Sequence, residues 1–133
     1  MNTIEYFVNR PLTVKQVCAV YDRSGIKRPT TEPQRMALML RHSNLVVSAW
    51  MDSTLVGVAR AFADYGWVCY LADLAVDQTV QRCGIGRALI ARVQQEIGPE
   101  SQLVLLSAPD AMAYYPKVGF EPIHNGWAVK RSA

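Results

Sequence analysis

Residues 80–90, VQRCGIGRALI, set Gly84 and Gly86 one residue apart, after an apolar run that ends at Val76 and before a helix-like stretch. Ile85, Leu89, Val93 and Ile97 recur every fourth residue, which predicts an amphipathic helix that opens near Gly84 and stops at Gly98 and Pro99. A helix N-terminus offers unpaired N–H groups and a partial positive charge, and glycine there lets an anion come close. The two glycines read as a phosphate cradle flanked by Gln81, Arg82 and Arg87, or as the relief of a tight turn with the arginines in solvent. Two better-known loops are excluded. No Gly-Lys-Ser/Thr follows, and Leu89 stands where a dinucleotide fingerprint has its third glycine.

Upstream, NLVVSAW (44–50), LVGVARAFA (55–63) and GWVCYLADLAV (66–76) are strand-like runs joined by turns at 51–54 and 64–66. Connections that short predict an antiparallel meander. Ile4 to Val8 is a further short strand. Thr13 opens a helix with Val14, Val17, Cys18 and Tyr21 on one face, and Gly25 ends it. The loop DRSGIKRPTTEP (22–33) leads to a second helix, with capping-box spacing between Thr31 and Gln34, that runs to about Ser43. Downstream, QLVLLSA (102–108) predicts a strand buried on both faces and reached in parallel through the preceding helix. DAMAYY predicts a short helix, and FEPIHNGWAVKR a terminal hairpin with Asn125 and Gly126 at its centre. The sum is an α/β fold occupying residues 1–133 as a single domain.

Half of the 133 residues are hydrophobic and 19% charged, which suits a globular chain. The net charge of +3 comes from scattered basic residues, which fits a local anion site and argues against nucleic acid as a partner. Cys18, Cys69 and Cys83 lack disulfide or zinc spacing. No run reaches the ~20 apolar residues of a membrane span, and no metal site is suggested. The expected setting is reducing and cytoplasmic.

VDQTVQRCGIGRAL (76–89) resembles the acetyl-coenzyme A signature of the GNAT superfamily of N-acetyltransferases, with Gln81, Gly84 and Gly86 at its three defining positions. AMAYYPKVGF (111–120) is similar to that family's C-terminal segment, matched in order by Ala111, Tyr114, Tyr115, Gly119 and Phe120. The resemblance covers roughly residues 45–131 and implies a mixed, mostly antiparallel twisted sheet of about six to seven strands flanked by about four helices. It also implies acetyl-CoA as cosubstrate and transfer of its acetyl group to a primary amine by direct attack in a ternary complex. No cysteine stands at a motif position for a covalent intermediate.

Carried onto this chain, the resemblance assigns cofactor contacts to the backbone at Leu74, Ala75 and Val76 and to the turn Gln81, Arg82, Cys83, Gly84, Ile85, Gly86 and Arg87. Ala108 replaces an asparagine common in the family, and Ser107 is the neighbour able to compensate. Tyr115 is the expected general acid toward the departing thiolate, or else a core aromatic; Tyr114 is expected to pack. Asp73 is the candidate general base, or else it caps or bridges neighbouring strands or attracts a cationic substrate without moving protons. Glu121, Asp64 and His124 are further candidates for the base.

The acceptor wall is expected from the N-terminal helices and their loop. Lys27 and Arg28 there would bind an acidic acceptor or the cofactor's outer phosphates, or else lie in a solvated loop, and Tyr21, Asp22, Trp50 and Tyr65 would line a pocket for a small amine. A small-molecule amine is the favoured acceptor. A non-catalytic acyl-CoA sensor, or an enzyme acting on a protein or a charged tRNA, are the alternatives. Exposed sheet edges allow a homodimer.

Overall fold

The turns that join the apolar runs between residues 44 and 76 admit only hairpin connections, and the computed structural model, which describes residues 3–133, folds them accordingly. Strands β1 (Ile4–Val8), β2 (Leu45–Met51), β3 (Thr54–Ala63), β4 (Val68–Val76) and β5 (Gln102–Leu105) form one sheet in the order β1-β2-β3-β4-β5. The first three pairings are antiparallel, whereas β4 and β5 are parallel through the crossover helix α3 (Ile85–Ile97). Helices α1 (Val14–Ser24) and α2 (Pro33–Arg41) come between β1 and β2.

The sheet separates two cores. Leu45, Val47, Ala59, Ala61, Cys69 and Leu71 pack with Ile85, Leu89, Ile90, Val93 and Ile97 of α3. On the other side Val46, Trp50, Val58 and Ala75 pack with Val17, Val20 and Tyr21 of α1 and Met36 of α2. Thr13 caps α1 in a full capping box with Gln16, and Gly25 closes it at φ 84°.

A β-bulge in β4 decides which residues face which core. Leu71 pairs with Ala61 and Asp73 with Arg60, so Ala72 is the extra residue. Before it, Cys69 and Leu71 point to α3; after it, Asp73 and Ala75 point to α1, and Leu74 and Val76 turn toward the α3 core. The pairing of β4 with β5 ends at the same place, Leu71 with Leu105, so the two strands part beyond the bulge.

The structure corrects several expectations. The described residues form five strands and three α-helices, fewer than the family resemblance implies. Glu32, and not Thr31, is the N-cap of α2 and makes no side-chain cap, because Pro33 takes the first helical positions and holds the residue before it out of the helix. β5 is a half-buried edge strand, and Leu106 is already exposed, so QLVLLSA is not covered on both faces. The helix expected at DAMAYY is two separate 3₁₀ turns, Pro109–Ala111 and Tyr115–Val118; Pro116, lacking an N–H, cannot continue a helix through this stretch. The terminal hairpin does not form. Residues 120–133 contain no strand, and Pro122 removes a donor that a hairpin ladder would need.

Candidate active site

The gap between β4 and β5 opens onto the turn that the two glycines occupy. Asp77 follows β4 and caps a 3₁₀ turn at Gln78–Val80, accepting from the Thr79 N–H and, at 2.7 Å, from Arg23 Nε at the end of α1. Burial opposes its charge, but the Thr79 and Arg23 bonds outweigh that and hold the Asp77 carboxyl below its ordinary pKa. Gln81 folds back and its amide donates to the Val76 carbonyl at 2.9 Å, fixing the turn on the end of β4.

Gly84 then enters α3 as its N-cap at φ 79°, a left-handed conformation that favours glycine, and no side chain caps the helix. The first N–H groups of α3 are thus left for another acceptor. At Gly86 the reason for glycine is space: a Cβ there would lie 2.8 Å from the Tyr114 hydroxyl. Arg87 Nη2 donates to the Lys117 carbonyl at 3.2 Å, tying the turn to the segment that carries Tyr115. Arg82, at φ 70°, and Cys83 are exposed in the turn, and Ile85 is buried beneath it.

Tyr114 and Tyr115 meet edge to face at 5.2 Å, and Tyr115 meets Phe120 likewise at 5.4 Å. Both hydroxyls have raised pKa values, chiefly from burial; nearby Tyr114 adds to the effect on Tyr115, and Arg28 opposes it. Tyr115 therefore stays protonated at neutral pH and within electrostatic reach of Arg28. Ser107, beside Ala108, donates to Met112 Sδ at 2.7 Å.

Asp73 is buried in a closed cluster. Its carboxylate accepts from Tyr21 Oη at 2.7 Å, Arg60 Nε at 2.6 Å and Arg28 Nε at 2.6 Å. Burial works against the charge, but Arg60, then Tyr21 and Arg28, more than offset it and lower the pKa. Arg28 Nη2 also donates to the Ala72 carbonyl at 3.0 Å, so the loop after α1 is latched to the bulge.

The remaining expected residues do not converge on one pocket. Tyr21 is buried against Asp73, and Trp50 is buried with its Nε1 donating to Ser48 and Arg10 over its ring. Asp22 accepts from Thr30, and Tyr65 is exposed in the β3–β4 turn. Arg28 is committed inward, whereas Lys27 is exposed. Asp64 accepts three N–H bonds in its own turn, and Glu121 and His124 lie exposed beyond Phe120. Sequence reasoning missed Arg60. The available signal was a lone cation in the apolar run LVGVARAFA and a lone acid in the neighbouring CYLADLAV.

A family model described as an acetyltransferase (GNAT) domain matches residues 17–130. The chain belongs to the GNAT acetyltransferase family. This GNAT chain is 27% identical over 119 residues to an uncharacterized N-acetyltransferase, ycf52, of Pyropia yezoensis, covering 84% of the chain and 67% of that protein. It spans 62% and 56% of two further curated relatives, from Porphyra purpurea and Arabidopsis thaliana.

Among solved structures, a Staphylococcus aureus protein of unknown function shares the fold at TM-score 0.82 and 21% identity, covering 97% of this chain and 100% of that one. The aminoglycoside N-acetyltransferase AAC(6')-Iy, solved with CoA, shares it at TM-score 0.74 and 14% identity, covering 100% and 97%. The described residues of the GNAT chain include no helix long and apolar enough to cross a membrane. They also include no group of three or more His, Cys, Asp or Glu placed to hold a metal ion.

Proposed function

We propose that residues 1–133 act as one N-acetyltransferase domain that binds acetyl-CoA and transfers its acetyl group to a primary amine by direct attack. The observation that carries this reading is the uncapped N-terminus of α3 beside the parted strands β4 and β5. Its N–H groups, with Arg82 and Arg87 flanking them, suit a pyrophosphate, and Gly86 leaves the room that a side chain would fill. Cys83 and Ile85 complete this turn. Beyond Leu71 the β4 edge facing β5 is unpaired among the described residues, so backbone groups at Leu74, Ala75 and Val76 suit an extended amide-bearing arm. Acetyl-CoA would supply the thioester acyl group that the amine attacks.

In this reading one N–H of β4 beyond the bulge donates to the developing oxyanion. Tyr115, protonated at neutral pH, donates its proton to the departing thiolate. Ser107 stands at the arm's edge. Asp73 serves as a positioning residue and not as the base: three donors occupy its carboxylate, and its lowered pKa makes it a poor proton acceptor. It holds Arg28, and through Arg28 the bulge carbonyl, beside the gap. A small-molecule amine is the favoured acceptor, supported by the fold shared with an aminoglycoside N-acetyltransferase. The three free thiols suit a reducing, cytoplasmic setting.

The test is calorimetric titration with acetyl-CoA, NAD and ATP, followed by assay of thiol release with a panel of amines. Selective acetyl-CoA binding with amine-dependent thiol release is expected. Tight binding without release on any amine would make the chain an acyl-CoA sensor, and no binding would overturn the reading.

A further inference from the structure

The turn that carries Gly84 and Gly86 is reached by a segment that crosses the end of the sheet. Helices α1 and α3 pack on opposite sides, and residues 77–84 lead from the end of β4 to the start of α3. A connection of this kind has no strand ladder to hold it, so side chains have to set its position. The end of α1 supplies them. Arg23 Nε donates to Asp77 Oδ2 at 2.7 Å, and Arg23 Nη2 reaches the Leu55 carbonyl at 3.5 Å. Gln78 Nε2 donates to the Ser24 carbonyl at 3.5 Å, and a Cβ on Gly25 would lie 3.1 Å from that same amide nitrogen.

Asp77 divides its carboxylate between two tasks. Oδ1 accepts from the Thr79 N–H at 3.0 Å and the Thr79 hydroxyl at 2.8 Å, which shapes the 3₁₀ turn, while Oδ2 is taken by Arg23. The Asp77 N–H donates to the Val56 carbonyl at 2.8 Å, so β3 holds its backbone and α1 holds its side chain. The Asp77 side chain is only 8% exposed, against 45% for Arg23. A nearly buried carboxylate that loses its cation turns toward water, and here Oδ1 would leave the turn with it.

We propose that Arg23 is a positioning residue for the cofactor: through Asp77 it fixes the turn at 77–80, and so the direction in which the first N–H groups of α3 point. This role rests on the acetyl-CoA reading above. Arg23 needs no contact with the ligand, because its donors are engaged by Asp77 and Leu55. Five residues later Arg28 holds Asp73 and the Ala72 carbonyl at the bulge. The β4 segment proposed to lie along the cofactor's arm is thus gripped at both ends by arginines from one short stretch, 23–28. Arg28 grips the end near the thioester, and Arg23 the end near the phosphates.

The test is calorimetric titration of Arg23→Gln with acetyl-CoA and, separately, with coenzyme A. Affinity for both should fall roughly 10-fold, the order expected for a lost charge-assisted hydrogen bond, because the acetyl group lies at the other end of the arm. A loss of stability alone would appear as fewer binding sites per chain at unchanged affinity, and would overturn the role. Arg23→Lys, which keeps a charged donor, should recover most of the affinity. In an Asp77→Asn background Arg23→Gln should add less than about twofold, whereas the full loss there would overturn the route through Asp77. Hydrogen exchange of the free chain reads the turn without ligand, and amides 79–86 should exchange faster in Arg23→Gln. Unchanged exchange, or unchanged affinity, would overturn the role and leave the acetyl-CoA reading standing. A parent chain that binds no acetyl-CoA would overturn both.

Discussion

Two regions at opposite ends of one short strand segment treat their polar groups in opposite ways. At the bulge, Asp73 is surrounded: each of its donors is in place, and nothing is left for a ligand. At the turn, 81–87, the first N–H groups of α3 have no side-chain acceptor, and the residues around them are mostly exposed. The cluster has the organisation of a scaffold and the turn that of a receptor. A carboxylate near a proposed thioester invites the role of base, yet the company it keeps argues for anchorage.

The contrast breaks most severely if Asp73 is removed. Asp73→Ala leaves Arg60 buried without its partner, and a stability loss of about 3–5 kcal/mol is expected by urea unfolding. Asp73→Asn should cost less while keeping much of the acetyl-CoA affinity; near-complete loss of turnover in a stably folded Asn variant would restore the role of base.

Next in size is Tyr115→Phe. Its turnover should fall about 100-fold, the low end for a lost general acid, with acetyl-CoA affinity little changed by calorimetry. Equal losses in both would make Tyr115 a packing residue.

Gly84→Ala forces a side chain into a left-handed conformation, a strain of about 1–2 kcal/mol, and should weaken acetyl-CoA binding in step with stability. Gly86→Val should displace Tyr114 and weaken binding with a smaller loss of stability. The smallest effect is on acid tolerance. The folded Asp73 carboxyl titrates below its ordinary 3.8, so its contribution is fully present above that value and lost as pH falls through the lowered one. Thermal midpoints should be flat from neutrality to about pH 5 and fall in more acid solution, with a shallower fall in Asp73→Asn.

Much of this arrangement was legible in the residues. Short turns forced the meander, the spacing of Ile85, Leu89, Val93 and Ile97 set α3, and Gly84 and Gly86 marked the turn. What alternation could not reveal was the extra residue at Ala72. In YLADLAV the side of the sheet taken by Asp73 depends on whether one residue is left out of the ladder, and that is settled by pairing with β3. The role of Tyr114 was hidden for a similar reason: its hydroxyl comes to Gly86 from a segment beyond β5. The Asn125–Gly126 signal was sound local chemistry for a turn, but Pro122 spoils one flank of the ladder.

The bulge also makes β4 a strand with a reading frame. Drawing Ala72 into the ladder, with no residue lost, would turn every side chain after it to the opposite side of the sheet, carrying Asp73 into the apolar packing of α3 and Leu74 toward the arginines. Deleting Ala72 leaves Asp73 opposite Arg60 and both cores on their present sides, whereas a deletion further along β4 turns the residues after it over. Of all the places where β4 could shorten by one residue, Ala72 is the one that keeps the faces of the strand.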